Sequence, residues 1–349
     1  MTKRNTNTHQ SQSDTAIRIE RLINAIKRID SQAFRITYSK HGDELVSETR
    51  LSKYFDGIEQ MIMLFEGDVE YQYSWHLSLF QQACQSIGVE LSPCGITCLS
   101  EDETRYLSTS ETLNELTACV RTLCTQKRYT RREHDQRYQA IQQEIEIGRY
   151  VEAVLDRYAR TCVIRIDLYY RTEAQARLRV ERVFDDLNRL IAERERNLIF
   201  DHDIGYICSV EQGEERGYHI HAAFFFNGAE VNADIYRAQR IGELWVRITR
   251  GQGCFNNCNL EKDKYQDRLG IGLIHRRDLN ARANVHYAIR YLVKNDQHLR
   301  LKPVGARCLR KGQTSAARLA ADRKGGNRTV RTEFPPPQCP LHWGKKLRA

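Results

Sequence analysis

Long apolar runs are missing from this sequence. No stretch approaches the roughly 18–20 consecutive apolar residues that a membrane-spanning helix needs. The first residues, MTKRNTNTHQSQSD, lack the apolar core of a secretory signal. We therefore expect a cytoplasmic protein that does not work at a membrane.

The sequence also lacks the cysteine pattern of a cross-linked protein. Its eleven cysteines are scattered, odd in number, and part of a 349-residue chain that is too large to need disulfides for stability. Cys254 and Cys258 form a single CxxxC with no partner pair, which is a weak zinc signal beside ordinary loop packing. We expect reduced thiols.

The positive charge is concentrated near the C-terminus. Formal net charge is +9, and the residues from Lys302 onward carry twelve Lys or Arg against two acids. The segment FPPPQCP and a shortage of large apolar residues predict that 306–349 is an extended basic tail. Such a tail is suited to holding nucleic-acid phosphates, although it can also serve only to keep the protein soluble.

The length of the chain, 349 residues, predicts about two domains. The polar residues 1–14 are predicted to be disordered and 15–158 to be a mostly helical domain, since apolar residues recur there at helical spacing. No internal repeat and no catalytic constellation is recognisable in this half, so its role stays unassigned. Residues 159–305 are predicted to form a second domain.

The pattern changes at Cys162. The segment CVIRIDLYY alternates in the manner of a strand, and the following patterns give the order β-α-β-β-α-β-α, with a loop over 251–266 and a strand near Leu269–His275. This order predicts an α+β fold in which helices back an antiparallel sheet.

A hairpin from Gly205 to Phe226, with a polar, glycine-bearing loop from Gln212 to Gly217 between its strands, carries the candidate metal ligands. Side chains alternate along a strand, so His219 and His221 lie on one face. If Glu211 pairs with His219 across the hairpin, its carboxylate joins them. A carboxylate and imidazole site that also holds a phosphate oxygen suits Mg²⁺ or Mn²⁺, with zinc as the rival.

The last predicted helix, from about Asn280 to Lys294, carries candidate nucleophiles. Its apolar residues gather on one side, whereas Tyr287, Tyr291 and Lys294 are spaced four and three apart on the other. A phenol is a poor nucleophile without a nearby cation. Because Lys294 follows Tyr291 by three residues and can supply that cation, we favour Tyr291 over Tyr287.

Three segments in this order resemble a known superfamily: CVIRIDLYY, then Glu211 with HIH at 219–221, then YAIRYLVK at 287–294. Together they resemble the His-hydrophobic-His (HUH) endonucleases of rolling-circle replication. Within these, the chain is most similar to the inovirus-type replication initiators of filamentous phages and prophages. The likeness covers about Ala159 to Gln313 and implies an HUH endonuclease-like sheet.

The resemblance implies a metal-dependent nickase that acts on single-stranded or extruded origin DNA in a bacterial cytoplasm. A tyrosine would form a 5′-phosphotyrosine intermediate and leave a 3′-OH primer, with a helicase and a polymerase of the host as partners. Members differ in whether one or both tyrosines act. The roles carried over are metal ligand for Glu211, His219 and His221, nucleophile for Tyr291 or Tyr287, and helper for Lys294.

Several charged residues are candidates for DNA contact. Arg165 and Asp167 lie on the polar face of the first strand of the second domain, where they would border a DNA groove or simply be surface charges. The basic candidates elsewhere are Arg290, Arg307, Arg310 and Lys311. A relaxase or transposase of the same superfamily and a non-catalytic DNA-binding regulator of a prophage remain alternative functions.

Overall fold

The computed structural model describes residues 11–290, 292 and 299–313. No helix in these ranges is both long enough and apolar enough to cross a bilayer. The helices are α1 (Gln12–Arg28), α2 (Ile58–Met63), α3 (Trp75–Ser86), α4 (Thr109–Cys124), α5 (Lys127–Leu155), α6 (Thr172–Gln175), α7 (Val180–Glu193), α8 (Asp234–Ile248) and α9 (Leu279–Arg290). The strands are β1 (Phe34–Tyr38), β2 (Glu44–Glu48), β3 (Tyr71–Tyr73), β4 (Glu90–Ser92), β5 (Gly95–Thr97), β6 (Arg160–Tyr170), β7 (Asp203–Gly213), β8 (Gly217–Asn227), β9 (Gly253–Asn257), β10 (Gly272–His275), β11 (Leu301–Pro303) and β12 (Leu309–Lys311). Short 3-10 helices occupy Ser52–Phe55 and Leu198–Phe200, and Cys258–Arg268 contains 3-10 turns interrupted by non-helical backbone at Glu261 and Gln266.

The N-terminal half contains the predicted helices and, in addition, short strands. Strands β1 and β2 form one antiparallel pair, β4 and β5 a second, and β3 pairs with β11. Strand β2 is exposed over its whole length, so no buried face imposes the alternation by which a strand is recognised in sequence. This half is therefore less purely helical than its apolar pattern predicts.

The first helix begins inside the segment predicted to be disordered. The Ser11 hydroxyl accepts a hydrogen bond from the backbone N–H of Asp14 and caps α1. The helix then buries Ile19, Leu22 and Ile23 in the same apolar core that covers one face of the main sheet. Residues 1–10 of that segment lie outside the described residues, and the domain boundary at 158 stays a prediction.

The main sheet is antiparallel throughout, as predicted. Its order is β10-β6-β8-β7-β12, with β9 also paired to β6. Helices α1, α7 and α8 contact one face of this sheet. On the other face, apolar side chains of α5 and α9 pack against Val163 of β6 and Ile207 of β7. The fold is α+β, with an open sheet between two helical layers.

A strand that the sequence analysis missed lies in the predicted loop 251–266. Strand β9 pairs with Ile166–Tyr170 of β6, and β10 pairs with Arg160–Val163 on the same edge. Asn259 bridges the gap between these two pairings. Its Oδ1 accepts from the Arg165 backbone N–H at 2.8 Å, and its Nδ2 donates to the Val163 carbonyl oxygen at 3.0 Å. One buried amide thus satisfies backbone groups that a longer strand would otherwise pair.

The C-terminal part of the described chain returns to the sheet. Strand β12 pairs with β7, with Leu309 opposite Ser209. The first residues of the predicted basic tail therefore lie at the sheet edge. The rest of that tail, 314–349, falls outside the described residues.

Helix α9 is fixed on the sheet face that also carries His219 and His221. Its Val285 and Ile289 side chains are buried among residues of α5 and the sheet. The Glu152 carboxylate of α5 accepts hydrogen bonds from Arg282 and His286 of α9. Apolar packing and this ion pair therefore act together to hold α9 in place.

We expect the contribution of Glu152 to stability to depend on pH. The hydrogen bond from His286, with a smaller one from Arg282, lowers the pKa of Glu152 from 4.5 to about 2 although burial opposes this. A carboxyl whose folded-state pKa is depressed stabilises the fold above its ordinary pKa, and this stabilisation is lost as the pH falls toward the folded-state value. Glu152→Gln should therefore lower the thermal unfolding temperature near neutral pH. Its difference from the wild type should shrink between about pH 5 and about pH 3.

The exposed Glu230→Gln provides the matched control, which we expect to stay close to the wild type over the whole range. A difference between Glu152→Gln and the wild type that stays constant as the pH falls would contradict the assignment.

Candidate metal centre

The hairpin of β7 and β8 has the register assumed from the sequence. Glu211 pairs with His219 and Ser209 with His221, so the carboxylate and both imidazoles lie on one face. The strands extend further toward the turn than predicted, because Gly213 still pairs with Gly217. The turn is correspondingly shorter than the predicted loop from Gln212 to Gly217.

Glu211, His219 and His221 form a compact buried cluster. Their ligand atoms all lie within 4.8 Å of one another. Glu211 Oε2 is 3.5 Å from His221 Nε2 and 3.8 Å from His219 Nε2. Atoms that share a divalent cation at about 2.1 Å lie roughly 3.0–3.5 Å apart, so a small contraction of this cluster would complete a metal site.

The hydrogen bonds of both histidines turn Nε2 toward the cluster. His219 donates from Nδ1 to the Gly217 carbonyl oxygen at 3.1 Å, and His221 donates from Nδ1 to Asp167 Oδ1 at 2.5 Å. A carbonyl and an ionised carboxylate can only accept, which assigns the proton to Nδ1 in each ring. The lone pair needed for metal binding is then on Nε2, the atom that faces Glu211.

The electrostatics of Glu211 favour a cation at this place. Burial raises the pKa of its carboxyl to about 7, against the opposing influence of the His221 charge and a hydrogen bond from Ser209. Oε1 is buried and has no hydrogen-bond partner within the described part of the chain. A buried carboxylate oxygen without a partner is costly unless a cation compensates it. The three residues therefore fit a metal ion.

Cysteines do not contribute to this cluster. Among the described residues, the group of side chains close enough to hold an ion is Glu211, His219 and His221. The ten cysteines in the described ranges are free thiols. Burial raises the pKa of Cys258 to about 11, so its thiol stays protonated at neutral pH. The donor set of the cluster is one carboxylate and two imidazoles.

Asp167 and Arg165 lie beside the cluster, not on an exposed groove wall. Both are buried, and Asp167 stands opposite His221 in the pairing of β6 with β8. Burial by itself raises the pKa of Asp167, but the hydrogen bond and charge of His221 and the charge of Arg165 bring the pKa below its ordinary value. Asp167 thus stays ionised and fixes the orientation of His221.

Tyr169 and Arg216 are neighbours of the cluster that the sequence analysis did not single out. The Tyr169 ring centroid is 5.8 Å from that of His219, and its hydroxyl donates to Asp167 Oδ2 at 3.2 Å. Arg216, in the β7–β8 turn, donates from Nη1 to the Tyr169 hydroxyl at 2.7 Å. The alternation of β6 is visible in the sequence, but its pairing with β8 is not. The sequence therefore does not show that Tyr169 lies beside His219.

Of the two candidate tyrosines of the last predicted helix, Tyr287 lies within the described residues and Tyr291 does not. Tyr287 is 55% exposed. Its hydroxyl accepts from Arg268 Nη1 at 3.1 Å, and the same guanidinium lies 4.9 Å from the ring centroid. Tyr291 and Lys294 lie outside the described residues. The choice of nucleophile therefore stays a prediction.

Three of the remaining candidates for DNA contact have partners outside the cluster. Arg290 pairs with Glu144 at 2.8 Å, and Lys311 pairs with Glu146 at 3.2 Å. The Arg310 guanidinium carbon is 5.8 Å from the ring centroid of Phe184, whereas Arg307 is exposed. Binding of DNA by these residues stays a prediction.

Comparison with known families covers the whole candidate centre. Residues 121–299 match the family model described as the YagK/YfjJ C-terminal domain, which is just over half of the chain. The chain belongs to this family. YagK/YfjJ domains are found in prophage-like bacterial proteins. The matched region includes the three clustered ligands, Asp167 and both tyrosines. Searches of curated proteins and of solved structures give no significant match.

We expect Asp167→Asn to weaken metal binding without unfolding the protein. The amide keeps the shape of the side chain but removes the charge that holds His221 Nδ1–H, and loss of such a partner costs about 10- to 100-fold in metal affinity. Titration of Mn²⁺ followed by electron paramagnetic resonance measures the dissociation constant.

Asp185→Asn, an exposed substitution on α7, is the control and should leave Mn²⁺ affinity unchanged. Equal Mn²⁺ affinity of Asp167→Asn and wild type would show that Asp167 does not orient a metal ligand.

Proposed function

We propose that this protein is a metal-dependent DNA endonuclease that nicks one strand through a covalent tyrosine intermediate, in the manner of rolling-circle replication initiators. The observation that carries the proposal is the buried Glu211, His219 and His221 cluster, with its unpaired carboxylate oxygen, on the sheet face that α9 covers. A hydrolytic or strand-transfer site needs a cation-binding group and a nucleophile on one side of a scaffold. Helix α9 ends at Arg290, one residue before the predicted nucleophile Tyr291 in the sequence.

The residues of the cluster would hold Mg²⁺ or Mn²⁺. One carboxylate and two imidazoles would leave coordination positions for the phosphate oxygen of a substrate and for water. Such a cation, when bound, withdraws charge from the phosphate that is to be cleaved. Asp167 and Gly217 orient the histidines. Asp167 accepts the hydrogen bond from His221 Nδ1–H, and the Gly217 carbonyl oxygen accepts that from His219 Nδ1–H.

Tyr291 is the proposed nucleophile and Lys294 its cationic helper. The phenol oxygen attacks phosphorus, the bond from phosphorus to the 3′ oxygen breaks, and the phenol proton leaves the tyrosine while the departing oxygen gains one. The products are a 5′-phosphotyrosine and a 3′-OH. In the helix that the sequence predicts as far as Lys294, residues three apart are neighbours, so the Lys294 ammonium would stabilise the developing phenolate. Tyr287, one turn earlier, is the candidate for a second strand transfer.

The basic residues beyond Lys302 are proposed to contribute affinity for single-stranded DNA. Twelve Lys or Arg against two acids form a polycation that exchanges counterions with phosphates. Each phosphate contact on a single strand adds about −0.7 to the slope of log affinity against log salt concentration. These contacts position the strand and carry no chemistry.

A replication initiator would work in the bacterial cytoplasm with host proteins. The 3′-OH left by nicking can prime a polymerase, and a helicase is needed to displace the nicked strand. Membership of a family found in prophage-like bacterial proteins supports this setting. The covalent tyrosine bond would keep the energy needed to rejoin the strand after one round.

We expect Tyr291→Phe to abolish the covalent adduct and Tyr287→Phe to retain it. Phenylalanine removes only the hydroxyl, so loss of the adduct reports on chemistry and not on packing. The assay incubates full-length protein with 5′- and 3′-labelled single-stranded DNA and Mn²⁺. It then scores label that migrates with denatured protein, with chelator as the metal-free arm.

Tyr236→Phe, at an exposed position on α8, is the control and should form the adduct. An adduct lost in Tyr287→Phe and kept in Tyr291→Phe would reverse the assignment. If the wild type gives no adduct with any origin-containing strand, or gives one in excess chelator, the proposed function is wrong.

A further inference from the structure

The turn between β7 and β8 is held rigidly beside the metal cluster. Gln175 Nε2 donates to the Arg216 carbonyl oxygen at 3.0 Å, and the Gly217 carbonyl oxygen accepts from His219 Nδ1 at 3.1 Å. Gly217 has φ +57°, and a Cβ there would lie 2.3 Å from Gln175 Oε1. Only glycine fits this position without displacing Gln175. The turn that orients the His219 ring therefore also fixes the backbone position of Arg216.

Tyr169 links the Arg216 side chain to the cluster. Its Nη1 donates to the Tyr169 hydroxyl at 2.7 Å, and its guanidinium carbon is 5.0 Å from the centroid of that ring. The Tyr169 ring in turn lies 5.8 Å from the His219 ring. A stacked and hydrogen-bonded guanidinium loses little further freedom on binding a ligand.

The charge of Arg216 is available to a ligand. Arg216 is exposed, and no carboxylate within the described ranges forms an ion pair with it. Its neighbour Glu214 is instead paired with Arg21 of α1 at 2.5 Å. Arg165, the other arginine beside the cluster, is buried with its Nε 3.9 Å from Asp167 Oδ1. Arg216 is therefore an exposed cation that Tyr169 connects to the centre.

We propose that Arg216 binds the phosphodiester that lies at the metal centre; this inference rests on the proposed function and names a substrate-binding residue for it. A guanidinium presents several N–H donors in a fixed fork that matches two oxygens of a phosphate. Tyr169 occupies one donor and the ring face, which leaves the other edge of the fork for the substrate. The metal ligands and Arg216 would then contact the same phosphate from two directions.

The arrangement also assigns a supporting role to Tyr169. Its hydroxyl accepts from Arg216 and donates to Asp167, the carboxylate that holds His221. Tyr169 is a positioning residue, since it acts through Arg216 and does not itself need to touch the phosphate. Tyr169→Phe keeps the ring for stacking but frees the guanidinium, so it should weaken phosphate binding less than Arg216→Ala.

The test uses full-length protein loaded with Mn²⁺ and dimethyl phosphate as the probe. Paramagnetic relaxation of the ³¹P nucleus reports only phosphate near the bound Mn²⁺, so binding elsewhere on the basic tail does not contribute. We expect Arg216→Ala to weaken dimethyl phosphate binding at the centre about tenfold or more, as loss of a charge-assisted contact does, with Mn²⁺ affinity unchanged. Arg216→Lys should restore part of it. Arg196→Ala, at an exposed arginine that pairs with Glu193, should match the wild type.

The outcomes separate this inference from the function on which it rests. If Mn²⁺ binds equally to all variants and the ³¹P relaxation of Arg216→Ala equals that of Arg196→Ala, Arg216 does not bind the phosphate and the inference alone fails. If Mn²⁺ fails to bind the wild type, both the proposed function and the inference fail. Loss of Mn²⁺ affinity in Arg216→Ala would make Arg216 a support of the metal ligands and would also overturn the inference.

Discussion

Glu211 is a carboxylate buried on one face of the main sheet, and the energetic cost of that position is the constraint on which the candidate centre depends. Burial raises its pKa to about 7, and one of its oxygens has no hydrogen-bond partner within the described ranges. Such a group is stable only if a proton or a cation accompanies it. The imidazoles of His219 and His221 complete a set of ligands that favours the cation.

The surrounding elements stabilise this cluster in successive layers. The β7–β8 register brings the three ligands to one face, and β6 places Asp167 against His221. The turn supplies the Gly217 carbonyl oxygen for His219. Helices α5 and α9 cover the apolar remainder of the same face, so α9 and the three clustered residues share one support. Burying these polar and charged side chains costs free energy that apolar side chains would not cost. We therefore interpret this face of the sheet as functional.

The sequence predicts those features that depend on local periodicity. The alternation around His219 and His221 and the helical phase of Val285 and Ile289 are both visible in the residues, and the hairpin register assumed from them is confirmed. Strand β9 was missed because it is short and rich in asparagine and takes its stability from pairing with β6. The burial of Asp167, which corrects the surface-charge alternative, is also not visible in the sequence. Its environment is set by a partner strand some 50 residues away, and no local pattern encodes that distance.

The central claim is that Glu211, His219 and His221 bind one divalent cation. Diffraction from crystals of the protein soaked in Mn²⁺, with data collected on both sides of the manganese absorption edge, tests it most directly. The account predicts one anomalous peak within about 2.2 Å of a Glu211 carboxylate oxygen, His219 Nε2 and His221 Nε2. A fully occupied peak elsewhere with this cluster empty, or no peak at saturating Mn²⁺, would contradict it.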